Sequence, residues 1–257
     1  MANVLVCIKR VPDSSGEILL TDDAQAVDAR HVGHTVSPHE ECAVELAIQL
    51  AAASGGEATV LTLGPAEAVE QLRDAIAVGC AAAVLIEADA DRYGAADVAD
   101  AIADLVRTHE AQGKAYELVL LGNDAADTGD FQVGVRLGYA LDRPVVTGMS
   151  TVHGSGDTFV ARGEGPDGPR VFEVAAPAVV TIVEGGVTPR YPSIPGRMRA
   201  KRTAIETATP SREPRGSGRV RLKLPPAQPS AVQILGEGPS AAPAVVDLLT
   251  ELGVLAR

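Results

Sequence analysis

From residue 3 to about residue 148 the chain alternates between short apolar runs and longer segments whose apolar residues return every three or four positions. That rhythm limits the fold more than any other feature. A strand that must reach its parallel neighbour through a helix builds a sheet covered on both faces. The runs are Val4-Leu5-Val6-Cys7-Ile8, Ala58-Thr59-Val60-Leu61-Thr62-Leu63, Ala83-Val84-Leu85-Ile86, Leu118-Val119-Leu120-Leu121 and Val145-Val146-Thr147. Between them, helices are predicted at residues 38–54, with Val44, Ala47, Ile48 and Ala51 inward, and around Val69, Leu72 and Ile76. A third runs from 95 to about 109, with Val98, Ile102, Leu105 and Val106 inward, and a fourth through Val133, Leu137, Ala140 and Leu141. Ser37-Pro38-His39-Glu40 has the pattern of a capping box with proline at the first helical position, and Gly55-Gly56 closes that helix. The expected class is α/β, a doubly wound parallel sheet.

Such sheets bind ligands beyond the carboxyl ends of their strands, where the winding reverses. The loops to inspect follow Ile8, Leu63 and Leu121. The last is Gly122-Asn123-Asp124-Ala125-Ala126-Asp127-Thr128-Gly129-Asp130-Phe131-Gln132-Val133-Gly134. A strand, a glycine-containing loop and a helix start make either one more connection of the sheet or an anion cradle of free backbone N–H groups. There is no G-x-G-x-x-G after the first strand and no P-loop, so neither common nucleotide fingerprint applies.

After residue 148 the pattern changes. Residues 158–161, 170–174 and 178–183 read as short strands split by glycine-rich turns, a small antiparallel extension. A hairpin is expected through Glu17-Ile18-Leu19-Leu20 and Ala26-Val27-Asp28, residues 189–201 read as irregular, and the Pro-, Ser- and Arg-rich stretch 203–230 reads as extended. A terminal helix near 243–252 follows, with Val245, Leu248, Leu249 and Leu252 on one face, expected to pack on a partner chain or back on the domain. The expected organisation is an α/β domain with its extension over residues 1–185, a recognition loop over 186–202 and an arm over 203–257.

Apolar residues make up 46% of the 257 and aromatics only 3%, so the core is aliphatic. The net charge of −12 speaks against a general nucleic-acid binder. Three scattered cysteines, Cys7, Cys42 and Cys80, suggest neither a disulfide framework nor a metal cluster and fit a reducing compartment. No signal peptide and no membrane span are expected. The aspartates at 97, 100 and 104 read as a solvated helix face. No nucleophilic triad, carboxylate pair or metal spacing stands out, so no catalytic residue and no metal ligand is assigned. Cys7 is a small buried wall rather than a redox thiol. His39 is a polar helix-end residue or a ligand contact, and Asp127 is a helix cap or an organiser of the loop.

Five segments together resemble the β subunit of electron transfer flavoproteins. They are residues 6–13, residues 37–45, Gly64-Pro65 with the helix to Gly79, residues 122–134, and Pro189-Arg190-Tyr191-Pro192-Ser193-Ile194-Pro195-Gly196-Arg197-Met198-Arg199-Ala200-Lys201. Order and spacing hold over roughly residues 3–205, and the last segment is the most specific. The resemblance implies an adenine-nucleotide α-hydrolase-like fold and a heterodimer with an α subunit bearing redox-active FAD. In the β chain it implies a second nucleotide, AMP or a second FAD. By this likeness the nucleotide touches Cys7, Ser37, Pro38, His39, Glu40, Leu63 and residues 123–134. Dehydrogenases dock on Tyr191, Ile194, Pro195, Met198 and Lys201, and electrons pass to a quinone-linked or other acceptor. The implied setting is cytoplasmic and the role that of a carrier subunit, not an enzyme. The chain departs from the family pattern at Asn123, Asp124, Gly129, Phe131, Val133 and Arg197, and Ser14 stands where some members have an aromatic. A universal-stress-type nucleotide sensor shares the fold, but residues 189–201 and the long arm have no place in it. An ATP-using hydrolase or ligase is disfavoured by the absent P-loop and by a loop without lysine.

Overall fold

A computed structural model of the chain describes residues 2–13, 15, 18–28, 30, 32–226 and 232–255. Ser14 and Glu17 lie outside the described residues. In order, the elements are β1 (Val4–Cys7), β2 (Val11–Pro12), β3 (His34–Thr35), α1 (Pro38–Ser54), β4 (Ala58–Gly64), α2 (Val69–Val78), β5 (Ala82–Glu87), α3 (Ala95–Ala111), β6 (Leu118–Gly122) and α4 (Val133–Leu141). There follow β7 (Val145–Met149), β8 (Thr151–Ser155), β9 (Thr158–Gly165), β10 (Gly168–Ala175), β11 (Ala178–Ile182), α5 (Ile194–Arg202), β12 (Glu206–Ala208) and α6 (Ala242–Glu251).

Seven strands form one parallel sheet in the order β12-β5-β4-β1-β6-β11-β7. Alternate side chains face opposite layers. Val4, Val6, Val60, Leu118, Leu120 and Val180 join Leu46, Ala47 and Leu50 of α1 and Leu72 and Ile76 of α2. Leu5, Cys7, Leu61, Val119, Leu121 and Val179 join Ile102, Leu105 and Val106 of α3 and Leu137 of α4. The winding runs from β1 through α1 to β4 and through α2 to β5 on one face, then crosses back through α3 to β6 and goes on through α4 to β7 on the other. The reversal lies between β1 and β6, which pair in register from Val4–Leu118 to Cys7–Leu121.

Two local readings change. Residues 178–182 are not part of the antiparallel extension. They form β11, parallel to both β6 and β7 and lying between them. All five residues are buried, the mark of a strand covered on both faces, whereas Val160 and Phe159 in β9 differ in burial as an exposed sheet requires. The extension itself is the meander β8–β9–β10, inserted between β7 and β11. The second change is in the segment read as irregular. Ser193 accepts a hydrogen bond from the Gly196 N–H at 3.1 Å and starts α5, with Pro195 in its first turn. The signal repeats that of Ser37-Pro38 at α1.

The early hairpin is present as a Leu20–Val27 antiparallel bridge. Beyond β12, residues 210–222 run along α3 and reach that hairpin, where the Leu222 N–H bonds Ala24 O at 2.8 Å and Gln25 donates to Val220 O at 2.9 Å. Residues 223–257 form a separate unit, in which a short helical turn at Gly238–Ala241 leads into α6. Among the described residues no helix is long and apolar enough to cross a membrane.

Candidate functional site

At the reversal point one carboxylate ties the exit of β1 and the start of α1, and the loop after β6 lies against it. Glu40, in the first turn of α1, accepts from the Ser37 N–H at 2.8 Å, while the Ser37 hydroxyl accepts from the Glu40 N–H at 3.3 Å. Its other oxygen accepts from the Lys9 N–H at 2.6 Å, just past β1. The capping box therefore also fixes the exit of β1. The loop after β6 presses on the same turn. A methyl on Gly122 would lie 2.8 Å from Glu40 Cγ and 3.4 Å from His39 Cβ, so only glycine permits this approach. Burial is the largest influence on Glu40 and raises its pKa to about 7, against the lowering effect of the bonds from Ser37 and Lys9.

Cys7 ends β1 and is 6% exposed, and burial, then Glu40, push its thiol up. It stays a thiol, in keeping with a wall and not a nucleophile. Leu63, near the end of β4, is 8% exposed. Pro38 opens α1 and Ser37 caps it. Cys7, Ser37, Pro38, His39, Glu40 and Leu63 thus stand on adjacent elements at the carboxyl end of the sheet.

The loop 123–134 is organised by two internal devices. The Ala125 N–H bonds Asp130 O, and Thr128 and Gly129 N–H groups bond Ala125 O at 3.1 and 2.7 Å, closing a tight turn over Ala126 and Asp127. Gly129 takes φ +62°, where a side chain is strained. Asn123 is turned away from the crevice. Its Oδ1 accepts from the Thr181 hydroxyl at 2.6 Å, and that hydroxyl accepts from the Gly148 N–H at 3.0 Å, so Asn123 pins the loop to β11 and β7. Gly134 lets α4 close on β11, since a methyl there would sit 2.3 Å from Thr181 Cγ2. Gln132 is occupied by Arg136 through bonds of 3.0 and 2.7 Å. The N-terminus of α4 has no side-chain cap, so its first N–H groups are left for solvent or a ligand. Phe131 is exposed and Val133 half-buried.

Three acids flank this helix start. Lys9 Nζ holds Asp127 at 2.6 Å, bridging the exits of β1 and β6. Asp124 Oδ1 lies 3.3 Å from His39 Nε2, within ion-pair distance, is shielded from solvent and has no hydrogen-bond partner among the described residues. Asp130 Oδ1, His39 Nδ1 and Arg10 Nε are likewise shielded and have no hydrogen-bond partner among the described residues. Lys9 and Thr181 were not among the sequence candidates. Lys9 had one signal, a lysine directly beyond the first strand of a sheet that binds at that end. Thr181 has none, because its run does not show that β11 lies between β6 and β7.

The residues at 189–201 gather elsewhere. Tyr191, Ile194 and Met198 are 94, 80 and 47% exposed, and Pro195 and Lys201 are exposed too. The helix α5 packs on α2, with Arg199 donating to Ile76 O at 2.6 Å, Arg73 donating to Ala200 O, and Gly196 close against Ala77 O. Ile76 and Ala77 close α2 just before β5 begins, so this contact lies at the end of the sheet opposite the crevice. Arg190, bound to Glu45 by two side-chain bonds of 2.7 Å, fastens the segment to α1. Among the described residues no group of His, Cys, Asp or Glu is placed to hold a metal ion.

The sequence matches the family model of the electron transfer flavoprotein domain over residues 26–213. The chain belongs to the electron transfer flavoprotein family. It is 34% identical over 207 residues to the electron transfer flavoprotein subunit beta of Bacillus subtilis (strain 168), covering 79% of this chain and 77% of that protein. It is 32% identical over 236 residues to the subunit of the same name from Syntrophomonas wolfei, covering 91% and 90%. The acryloyl-CoA reductase electron transfer subunit gamma of Anaerotignum propionicum is 30% identical over 198 residues, covering 76% and 73%. The role of this chain is that of a β subunit in electron transfer, and the nucleotide-sensor alternative is not favoured.

Proposed function

We propose that this chain pairs with an α subunit carrying redox-active FAD, and that its own crevice binds a second nucleotide, AMP or FAD. The observation that carries the reading is the uncapped start of α4 facing the reversal point between β1 and β6. An anion there would meet free N–H groups and the positive end of the helix. Residues 127–134 would hold phosphate, with Lys9 available once Asp127 releases it. Cys7, Pro38 and Leu63 would line the base, and the turn Ser37–Glu40 would close the site. FAD, when bound, supplies the electron storage, and the chain itself positions, shields and docks. It is a carrier subunit rather than an enzyme.

Tyr191, Ile194, Pro195 and Met198 are proposed to meet flavin dehydrogenases, with Lys201 and its basic neighbours steering acidic partners. Electrons would pass on to a quinone-linked or other acceptor, in a cytoplasmic setting. The organisation proposed is a nucleotide-binding domain over 1–185, a partner-recognition segment over 186–202 and an arm over 203–257. The test is to co-purify the heterodimer, denature it and chromatograph the released nucleotides. FAD and AMP in equal amounts support an ordinary carrier, and FAD alone in double amount supports a second redox flavin. No nucleotide, and no flavoprotein partner, would sink the proposal.

A further inference from the structure

The acids around the crevice differ in how much accepting capacity they have left. Both oxygens of Glu40 are engaged, by Ser37 and Lys9 backbone N–H groups. Asp127 is held by Lys9. Asp124 makes no hydrogen bond among the described residues. Its Oδ1 is turned inward beside His39, yet its side chain is 24% exposed, which leaves Oδ2 open. His39, also 24% exposed, stands 3.3 Å from Oδ1 and limits how the carboxylate can turn.

The place of this pair in the sheet decides what it can meet. The strand order across the crevice is β4, β1, β6, β11. Cys7 and Leu63 end the first two as near-buried small and apolar walls, and the uncapped start of α4 follows the third. A nucleotide laid across that edge would place its base over β4 and β1 and its phosphate at α4. Its sugar would then fall over the end of β6, where Asp124 begins the loop and His39 stands beside Gly122. A carboxylate repels phosphate oxygens and cannot satisfy the ring nitrogens of a base, but it accepts well from hydroxyls. Reading ribose hydroxyls by an acid is common chemistry in nucleotide sites on such sheets.

We propose that Asp124, beside His39, accepts from the ribose hydroxyls of the bound nucleotide, so that the site selects ribonucleotides with a free cis-diol. This rests on the nucleotide reading given above. His39 is a positioning residue, and Asp124 is the group that touches the ligand.

The test is calorimetric titration of the nucleotide-stripped αβ complex with AMP, 2′,3′-dideoxyAMP and inosine monophosphate. The expected result is AMP bound at least ~10-fold more tightly than the dideoxy analogue, the weight of one hydrogen bond to a charged group. Asp124→Ala should bring the two within about twofold by weakening AMP alone, and Asp124→Asn, which keeps an acceptor and the size, should fall between. His39→Ala should reduce the preference without abolishing AMP binding. Equal affinity of the wild type for AMP and the dideoxy analogue overturns the proposal. So does a preference that survives Asp124→Ala, or a loss seen with inosine monophosphate alone, which would place a base amine there. Wild-type complex that binds none of the three, and that releases a single FAD and no AMP on denaturation, overturns the nucleotide reading itself.

Discussion

Two regions of the molecule are held by carboxylates, and they are built on different physics. At the crevice, Glu40 is buried, its partners are backbone N–H groups, and glycine at 122 brings a third loop against it. Along α3, Asp97, Asp100 and Asp104 meet Arg215, Arg212 and Ser211 of the arm across the surface. Arg215 reaches Asp97 at 2.9 Å and Asp100 at 2.6 Å, and Arg212 reaches Asp104 at 3.1 Å. The first arrangement is short-range, close-packed and intolerant of change. The second joins residues more than a hundred positions apart through arginines whose side chains are exposed, so that salt can screen it. A buried cap fixes a site, whereas a row of surface pairs steers a chain without locking it.

The largest expected difference lies at Glu40. Its folded pKa of about 7 lies above the ordinary value of 4.5. The protonated form is favoured by folding, so its stabilising effect is full below pH 4.5 and is lost as pH rises through 7. Glu40→Gln should therefore flatten the stability curve between those limits by about 3 kcal/mol relative to wild type. Urea unfolding at several pH values measures this. Parallel curves for the two proteins would show that Glu40 does not titrate there.

Next is Gly134→Ala. The methyl has no room against Thr181, so α4 must lift or Thr181 must rotate away from Asn123 and Gly148. Overpacking of this kind costs about 2 kcal/mol, read as a lower urea midpoint with an unchanged slope. A variant as stable as wild type would mean that α4 does not depend on this close approach.

On the arm side, Asp97 bridges both worlds. It accepts from the Gly94 N–H at 3.1 Å at the start of α3 and from the Gly216 N–H at 2.9 Å in the arm. Burial acts to raise its pKa, but bonds from Arg215 and from the backbone of Arg215, Gly94 and Gly216 outweigh it and bring it down to about 2. The stability it contributes is present above the ordinary 3.8 and is lost as pH falls through about 2. Asp97→Ala should cost about 1.5 kcal/mol at neutral pH and only a small part of that by pH 2. An equal cost at both pH values would assign its effect to packing alone.

The same contrast explains what could be read from the chain alone. The parallel sheet, the capping box at Ser37 and the glycine at 122 all follow from patterns within a dozen residues. The place of β11 in the parallel sheet is not legible, because Ala178-Val179-Val180-Thr181-Ile182 follows a glycine-rich meander and a continuous apolar run does not declare its neighbours. The aspartates of α3 were read as solvated because their arginine partners lie beyond residue 210, and no local pattern reports a contact at that separation. Asn123 stood among ligand residues for its place in a loop, whereas its side chain serves β11 through Thr181.

The smallest effect should come from Arg212. Its side chain is 63% exposed and its bond to Asp104 is duplicated by Ser211, which donates to the same carboxylate at 2.6 Å. Arg212→Ala should change global stability by less than about 0.5 kcal/mol. Its consequence should appear instead in local opening of the arm. Trypsin cleavage at Arg215 and Arg219 should quicken in the variant at low salt, and the wild type should approach the same rate as sodium chloride rises to about 1 M, where the screening length is near 3 Å. Cleavage that is slow in both proteins at every salt concentration would show that backbone contacts at Gly216 and Leu222, not ion pairs, hold the arm.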